Sequence, residues 1–149
     1  MTDEVFTYVA SDPEGRFKGL PLKVEYVDGA IWRLCSDVTY TLADGRPSTV
    51  RAGFEFDFAS VPRPLWWLFP PHGVKGNPYG IAALWHDWLC AHRKIAGQPV
   101  GFSEANRVFL EIMLYTKVRR TIAYTMYAAV QSPVGWLAWK NRKPGDMVP

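Results

Sequence analysis

From Leu20 to Asp57 apolar and polar residues alternate with a period of two, the mark of strands that bury one face. Leu22, Val24 and Tyr26 alternate with Lys23 and Glu25, and Asp28-Gly29 follows as a two-residue hairpin signal, so a partner strand is expected from Ala30 to about Leu34. Val38, Tyr40 and Leu42 alternate with Thr39 and Thr41, and Ala43-Asp44-Gly45 supplies a second turn. Val50, Ala52, Phe54 and Phe56 then alternate with Arg51, Gly53, Glu55 and Asp57 as one further strand. Together these segments predict an antiparallel meander of three or four strands. Residues 1–19 alternate only weakly, at Val5 and Tyr8, and read as an irregular arm ending in DPEGRFKG.

Beyond Asp57 the pattern changes to loops and helices. Residues 58–78 form a Pro-, Gly- and Trp-rich stretch in which Ser60, Pro62 and Pro64 resemble a helix start, giving a short helical turn over Leu65 to Phe69 before Pro70-Pro71 stops it. A helix is expected from about Tyr79 to Arg93, the segment GIAALWHDWLCAH. GQPVGF interrupts, and Ser103 is the expected N-cap of a helix from Glu104 to about Lys117 with an apolar stripe of Ala105, Val108, Phe109, Ile112 and Met113. Thr121 to Trp139 is uncharged over nineteen residues. Gln131-Ser132-Pro133 breaks that run, and a membrane span needs about twenty residues. Two buried or half-buried helices, Thr121 to Gln131 and Val134 to Asn141, are expected instead. The fold class is α+β: one domain over 1–149, its meander (about residues 20–57) packed on three to four C-terminal helices, with Trp66, Trp67, Trp85 and Trp88 in one aromatic cluster.

The composition suits a packed domain. Of 149 residues, 48% are hydrophobic, 21% charged and 15% aromatic, with a formal net charge of +3. Those values exclude a disordered chain and a nucleic-acid-binding polyelectrolyte, so no specific nucleic-acid partner is expected. Cys35 and Cys90 fit no CxxC pattern and read as reduced thiols. The acidic, polar amino terminus lacks the basic start and apolar run of a signal peptide, so export by that route is not expected. Arg119, Arg120, Lys140, Arg142 and Lys143 lie among Trp and Tyr. They read as a solvated rim to an aromatic core or as a contact with phosphates or anionic lipid that does not span the bilayer.

The candidate chemistry sits in the central helix, where His86 and Asp87 stand among Ala82, Ala83, Leu84, Trp85, Trp88 and Leu89. Buried polar groups need polar partners, so something must meet them there. Neighbouring helix positions point about 100° apart, so His86 and Asp87 cannot bond each other as a dyad. The imidazole needs a third group, for which Asp57 and Asn106 are the candidates. In the catalytic reading His86 is a general base for a water and Asp87 binds substrate or a cation. In the architectural reading His86 is neutral and satisfied by a carbonyl, while Asp87 caps the FASVP turn or pairs with Arg63.

No metal site is expected. His86 and Cys90, four apart on one helix face, form a permissible zinc pair that Cys35 or Asp57 could complete, but His92 falls on another face and no second spaced pair exists. A hard cation such as calcium at Asp57, Asp87 and loop carbonyls is the other arrangement open. Cys90 alone reads as a small buried hydrophobe. Walker, GxGxxG, GxSxG and HExxH patterns are absent, which removes weight from nucleotide-binding and serine-hydrolase classes.

FDFASVPRPLWWLF, then AALWHDWLC, then EANRVFLEIM and TMYAAV resemble an uncharacterised family of tailed phages, prophages and bacteria, domain of unknown function 1353, over roughly residues 20–140. The most specific matches are Asp57, Ala59, Ser60, Pro62, Arg63, His86, Asp87, Trp88 and Leu89. Where the family is expected to carry an acid in the third helix, this chain has Asn106, which keeps a hydrogen-bonding orienter and removes a second carboxylate. The resemblance implies a phage or prophage origin and no particular reaction; the expected locations are the host cytoplasm during synthesis and the virion. His86, Asp87 and a loop with Gly73 and Gly76 are also faintly similar to the phospholipase A2 arrangement, without its disulfides.

Two functions follow as expectations. The first is a non-catalytic virion-associated (tail or head) or host-interaction component whose partners are other phage structural proteins or a host component. The second is a small hydrolase acting on a host envelope component, with His86, Asp87, Asp57 and Asn106 as its catalytic residues, Ser60, Arg63 and Trp88 on the substrate, and no cofactor unless a divalent cation assists.

Overall fold

A computed structural model describes residues 5–28, 31–56 and 80–141. Among these residues nine short strands and four helices follow in order: β1 (Val5–Tyr8), β2 (Phe17–Lys18), β3 (Leu22–Asp28), β4 (Ile31–Leu34), β5 (Val38–Thr41), β6 (Pro47–Val50), β7 (Glu55–Phe56), α1 (Gly80–His92), β8 (Lys94–Ile95), β9 (Gln98–Pro99), α2 (Phe102–Tyr115), α3 (Arg120–Gln131) and α4 (Pro133–Asn141). All strand pairings among the described residues are antiparallel, and β1 to β7 precede the helices, with the short β8 and β9 between α1 and α2, so the fold is α+β.

The alternating region divides between two sheets rather than forming one meander. One sheet has the order β1-β3-β4-β7 and the other β2-β5-β6. The hairpin read from Asp28-Gly29 is borne out by the pairing of Asp28 with Ile31. The strand expected to run unbroken from Val50 to Phe56 is instead two. Gly53 adopts a left-handed φ of 92°, which an L residue with a Cβ adopts only under strain. Asp37 accepts the Ala52 amide at 2.7 Å. The chain turns there and passes from one sheet to the other. Val50, Phe54 and Phe56 are enclosed, whereas Ala52, read on the same face, is exposed at the turn.

The amino-terminal segment also differs from its reading as an irregular arm. Tyr8 pairs with Leu22 and Phe17 with Tyr40, so this segment supplies an edge strand to each sheet. Between them, Asp12 accepts the amides of Arg16 (2.8 Å) and Phe17 (3.3 Å) and the hydroxyl of Tyr115, while the Tyr115 oxygen accepts the Glu14 amide at 2.8 Å. Weak alternation hid these strands because each is short and partly solvated.

The helices follow the expected stripes. Ala105, Val108, Phe109, Ile112 and Met113 of α2 are buried, as predicted. Gly101, with extended backbone, occupies the N-cap of α2, and Ser103 lies inside the helix, so the predicted Ser103 cap is not formed. The helix starts two residues earlier than predicted, at Phe102, whose ring packs on Trp136 at 5.2 Å. GQPVGF, read as a break, contributes to a β8-β9 hairpin. At Ser132 the uncharged run divides as expected. The Ser132 hydroxyl accepts the Gly135 amide at 3.4 Å, and Pro133 takes the first position of α4, where its missing N–H costs nothing. No helix among the described residues is long and apolar enough to cross a membrane.

Tertiary ties fix α1 against the rest. Trp85 is enclosed and donates its indole N–H to Ser48 of β6 at 3.0 Å. Tyr8 of β1 accepts the Gly80 amide at 3.2 Å, meeting one of the N–H groups that a helix start leaves without an internal partner. Trp85 meets Phe17 and Tyr40, whereas Trp88 meets Phe54 and His92, so these two tryptophans serve different ring groups. Trp66 and Trp67, expected in the same cluster, lie outside the described residues.

Candidate functional site

The site is built where α1 crosses α2. His86 and Asp87 are 8% and 4% exposed, and Asn106 is fully enclosed. The placement follows from the helical period: α1 is apolar almost all round, so its central turn is sealed whichever way it faces. The His86 ring lies against Phe109, centroid to centroid 4.8 Å.

His86 Nε2 lies 2.7 Å from Asn106 Oδ1. The neighbours of Asn106 fix which way its amide points. Its Nδ2 donates to the Val130 carbonyl at 3.2 Å and to Gln131 Oε1 at 2.6 Å, and a carbonyl can only accept. Oδ1 therefore faces the histidine, and Nε2 must carry the proton it donates. In the neutral ring the lone pair then resides on Nδ1. The same amide supplies a donor to one of the last carbonyls of α3, which have no partner within their own helix. A chain of bonds thus runs from α1 through α2 to the end of α3.

Cys90, one turn along, sits 4.0 Å from Nδ1 and 3.9 Å from Nε2. Equal approach to both nitrogens is a side contact rather than a thiol aimed at one lone pair. Cys35 is exposed, away from this interior site, and neither cysteine is in a disulfide, in keeping with the expected reduced thiols. Partial desolvation raises the Cys35 thiol pKa, and the nearby Glu25 carboxylate adds to the shift. Among the described residues no group of three His, Cys, Asp or Glu side chains could hold a metal ion, so the Cys35 route to a zinc site fails on position.

Of the residues singled out from sequence, His86, Asp87 and Asn106 come together in the interior, and Trp88 lies half-buried beside His92 at 3.7 Å between ring centroids. Asn106, one of the two orienters considered for His86, is bonded to it. Asp57, Ser60, Arg63 and the glycine loop of Gly73 and Gly76 lie outside the described residues. Sequence reasoning did not find Gln131 or the Val130 carbonyl, since only the meeting of two helices joins them to Asn106. It also missed Arg93, which has a left-handed φ of 56° just beyond α1. Arg93 donates to the Cys90 carbonyl at 3.2 Å and the Trp139 carbonyl at 2.7 Å, closing the ends of α1 and α4 together.

The fold is α+β, with an interior histidine held by an asparagine from the next helix. The chain belongs to the family described as protein of unknown function (DUF1353), whose profile matches residues 32–130. No curated protein and no solved structure gives a match.

Proposed function

We propose that this protein is a non-catalytic component of a phage or prophage, virion-associated or host-interacting, in which His86 is architectural. The observation carrying this reading is the enclosure of His86 and Asn106 together with the bonds that tie them to α3. A base that must reach a substrate needs an approach, whereas a tie between helices needs none. In this role His86→Ala leaves Asn106 without its donor and costs about 1–3 kcal/mol, which lowers the melting temperature by roughly 2–4 °C per kcal/mol in a chain of this size. An unchanged melting curve would overturn the architectural reading.

One observation favours a second reading, a small hydrolase acting on a host envelope component. Donation from Nε2 puts the lone pair on Nδ1, the arrangement of an oriented general base. Purified protein is then expected to release product from phospholipid or peptidoglycan, with or without calcium, and His86→Gln to stop that release while the fold persists. Absence of turnover on both substrate classes removes this reading.

A further inference from the structure

Helix α4 exposes Val134, Trp136 and Leu137 at 51%, 47% and 54%. Its other side is firmly held. Trp139 is buried, Phe102 meets its ring at 5.9 Å, and the Arg93 guanidinium lies 4.1 Å from the ring centroid. Gly135 lies so close to the Val130 carbonyl that a Cβ there would overlap it. The exposed apolar residues therefore belong to a fixed element whose outer face has no described covering.

Charge indicates what covers it. Between Ile112 and Gly145 the sequence holds six basic residues, Lys117, Arg119, Arg120, Lys140, Arg142 and Lys143, and no acidic one. Since the whole chain carries +3, the remainder carries −3. Lys140 is exposed one turn beyond Trp136, and Arg142 and Lys143 follow at once in the sequence. A second copy of this chain would bring the same basic run against itself, which like charges oppose. Tryptophan and leucine beside lysine and arginine is the combination that settles at the boundary of headgroups and acyl chains.

We propose that α4 is a peripheral docking helix for an anionic phospholipid surface. Val134, Trp136 and Leu137 enter the interface, and Lys140 meets the phosphates. The proposal is independent of the role of His86.

The test is co-sedimentation of the full chain with phosphatidylcholine vesicles, with and without phosphatidylglycerol. Binding is expected to favour the anionic vesicles by about tenfold or more and to fall steeply with added salt. Leu137→Asp and Lys140→Glu, both at exposed positions, should each remove most of that binding while leaving the circular dichroism spectrum unchanged. Lys117→Glu, in the turn between α2 and α3, makes the same charge change as Lys140→Glu and should retain most of it. Equal loss in Lys117→Glu and Lys140→Glu would show attraction to net charge alone and overturn the proposal. So would an absence of preference for anionic vesicles, or a concentration-dependent dimer that Leu137→Asp dissociates.

Discussion

His86 Nε2 donates to Asn106 Oδ1 across 2.7 Å, and the same asparagine reaches with its amide nitrogen to the end of α3. Three helices far apart in their roles as sequence motifs are joined by one buried side chain. Losing either end of the bond takes a buried hydrogen-bond partner from the other, so the two residues should be energetically coupled.

A double-mutant cycle tests this coupling. His86→Ala and Asn106→Ala are each expected to destabilise the fold in urea, but the double variant should be less destabilised than the sum by about 1 kcal/mol or more. Additive effects would mean that the short contact carries no mutual stabilisation.

His92 gives the fold a pH dependence with a definite sign. Burial lowers its pKa from the ordinary 6.5, and its hydrogen bond to the Trp88 carbonyl opposes that shift only in part. Below 6.5 the unfolded chain binds a proton that the folded ring still resists. Stability from this group is therefore fully present above 6.5 and is lost as the pH falls toward and through the lowered folded value. His92→Phe, which keeps a ring beside Trp88, should flatten the urea midpoint between about pH 7 and pH 5, measured against the parent protein.

Gly135→Ala should disrupt the seam between α3 and α4. The added methyl would overlap the Val130 carbonyl, which is backbone and cannot swing aside. A loss of about 1–3 kcal/mol is expected, with faster amide exchange in α4. Val134→Ala, one residue earlier and exposed, should be nearly neutral.

Tyr115 holds the amino-terminal segment to α2. Its oxygen accepts the Glu14 and Arg16 amides at 2.8 and 3.3 Å and donates to Asp12. Burial pushes the Asp12 carboxyl upward, but Tyr115 and the nearby backbone amides outweigh it and hold the pKa below the ordinary 3.8. The contribution is present above 3.8 and lost as the pH falls through the lower folded value. Tyr115→Phe is expected to cost about 1 kcal/mol at neutral pH and to weaken the acid step, while amide exchange quickens over residues 12–17.

Periodicity determined the α+β class, the buried faces of most strands and the stripe of α2, and the Gln131-Ser132-Pro133 breaker marked the break at Ser132. These follow from local rules: side chains repeat every two or 3.6 residues, and apolar repeats mark the face turned inward. The place of the candidate site was also legible, because His86 and Asp87 interrupt an otherwise apolar helix and Asn106 lies one helix away.

Only the tertiary structure decided how the alternating segments divide into two sheets, since the turn at Gly53 depends on Asp37 from an earlier loop. It alone recruited the amino-terminal strands, whose partners Leu22 and Tyr40 lie beyond any local window. It also brought Asn106 to His86. A sequence shows which side chains need a buried partner, but the partner is selected by which helices cross, and Gln131 and the Val130 carbonyl enter the site only because α3 ends where Asn106 points.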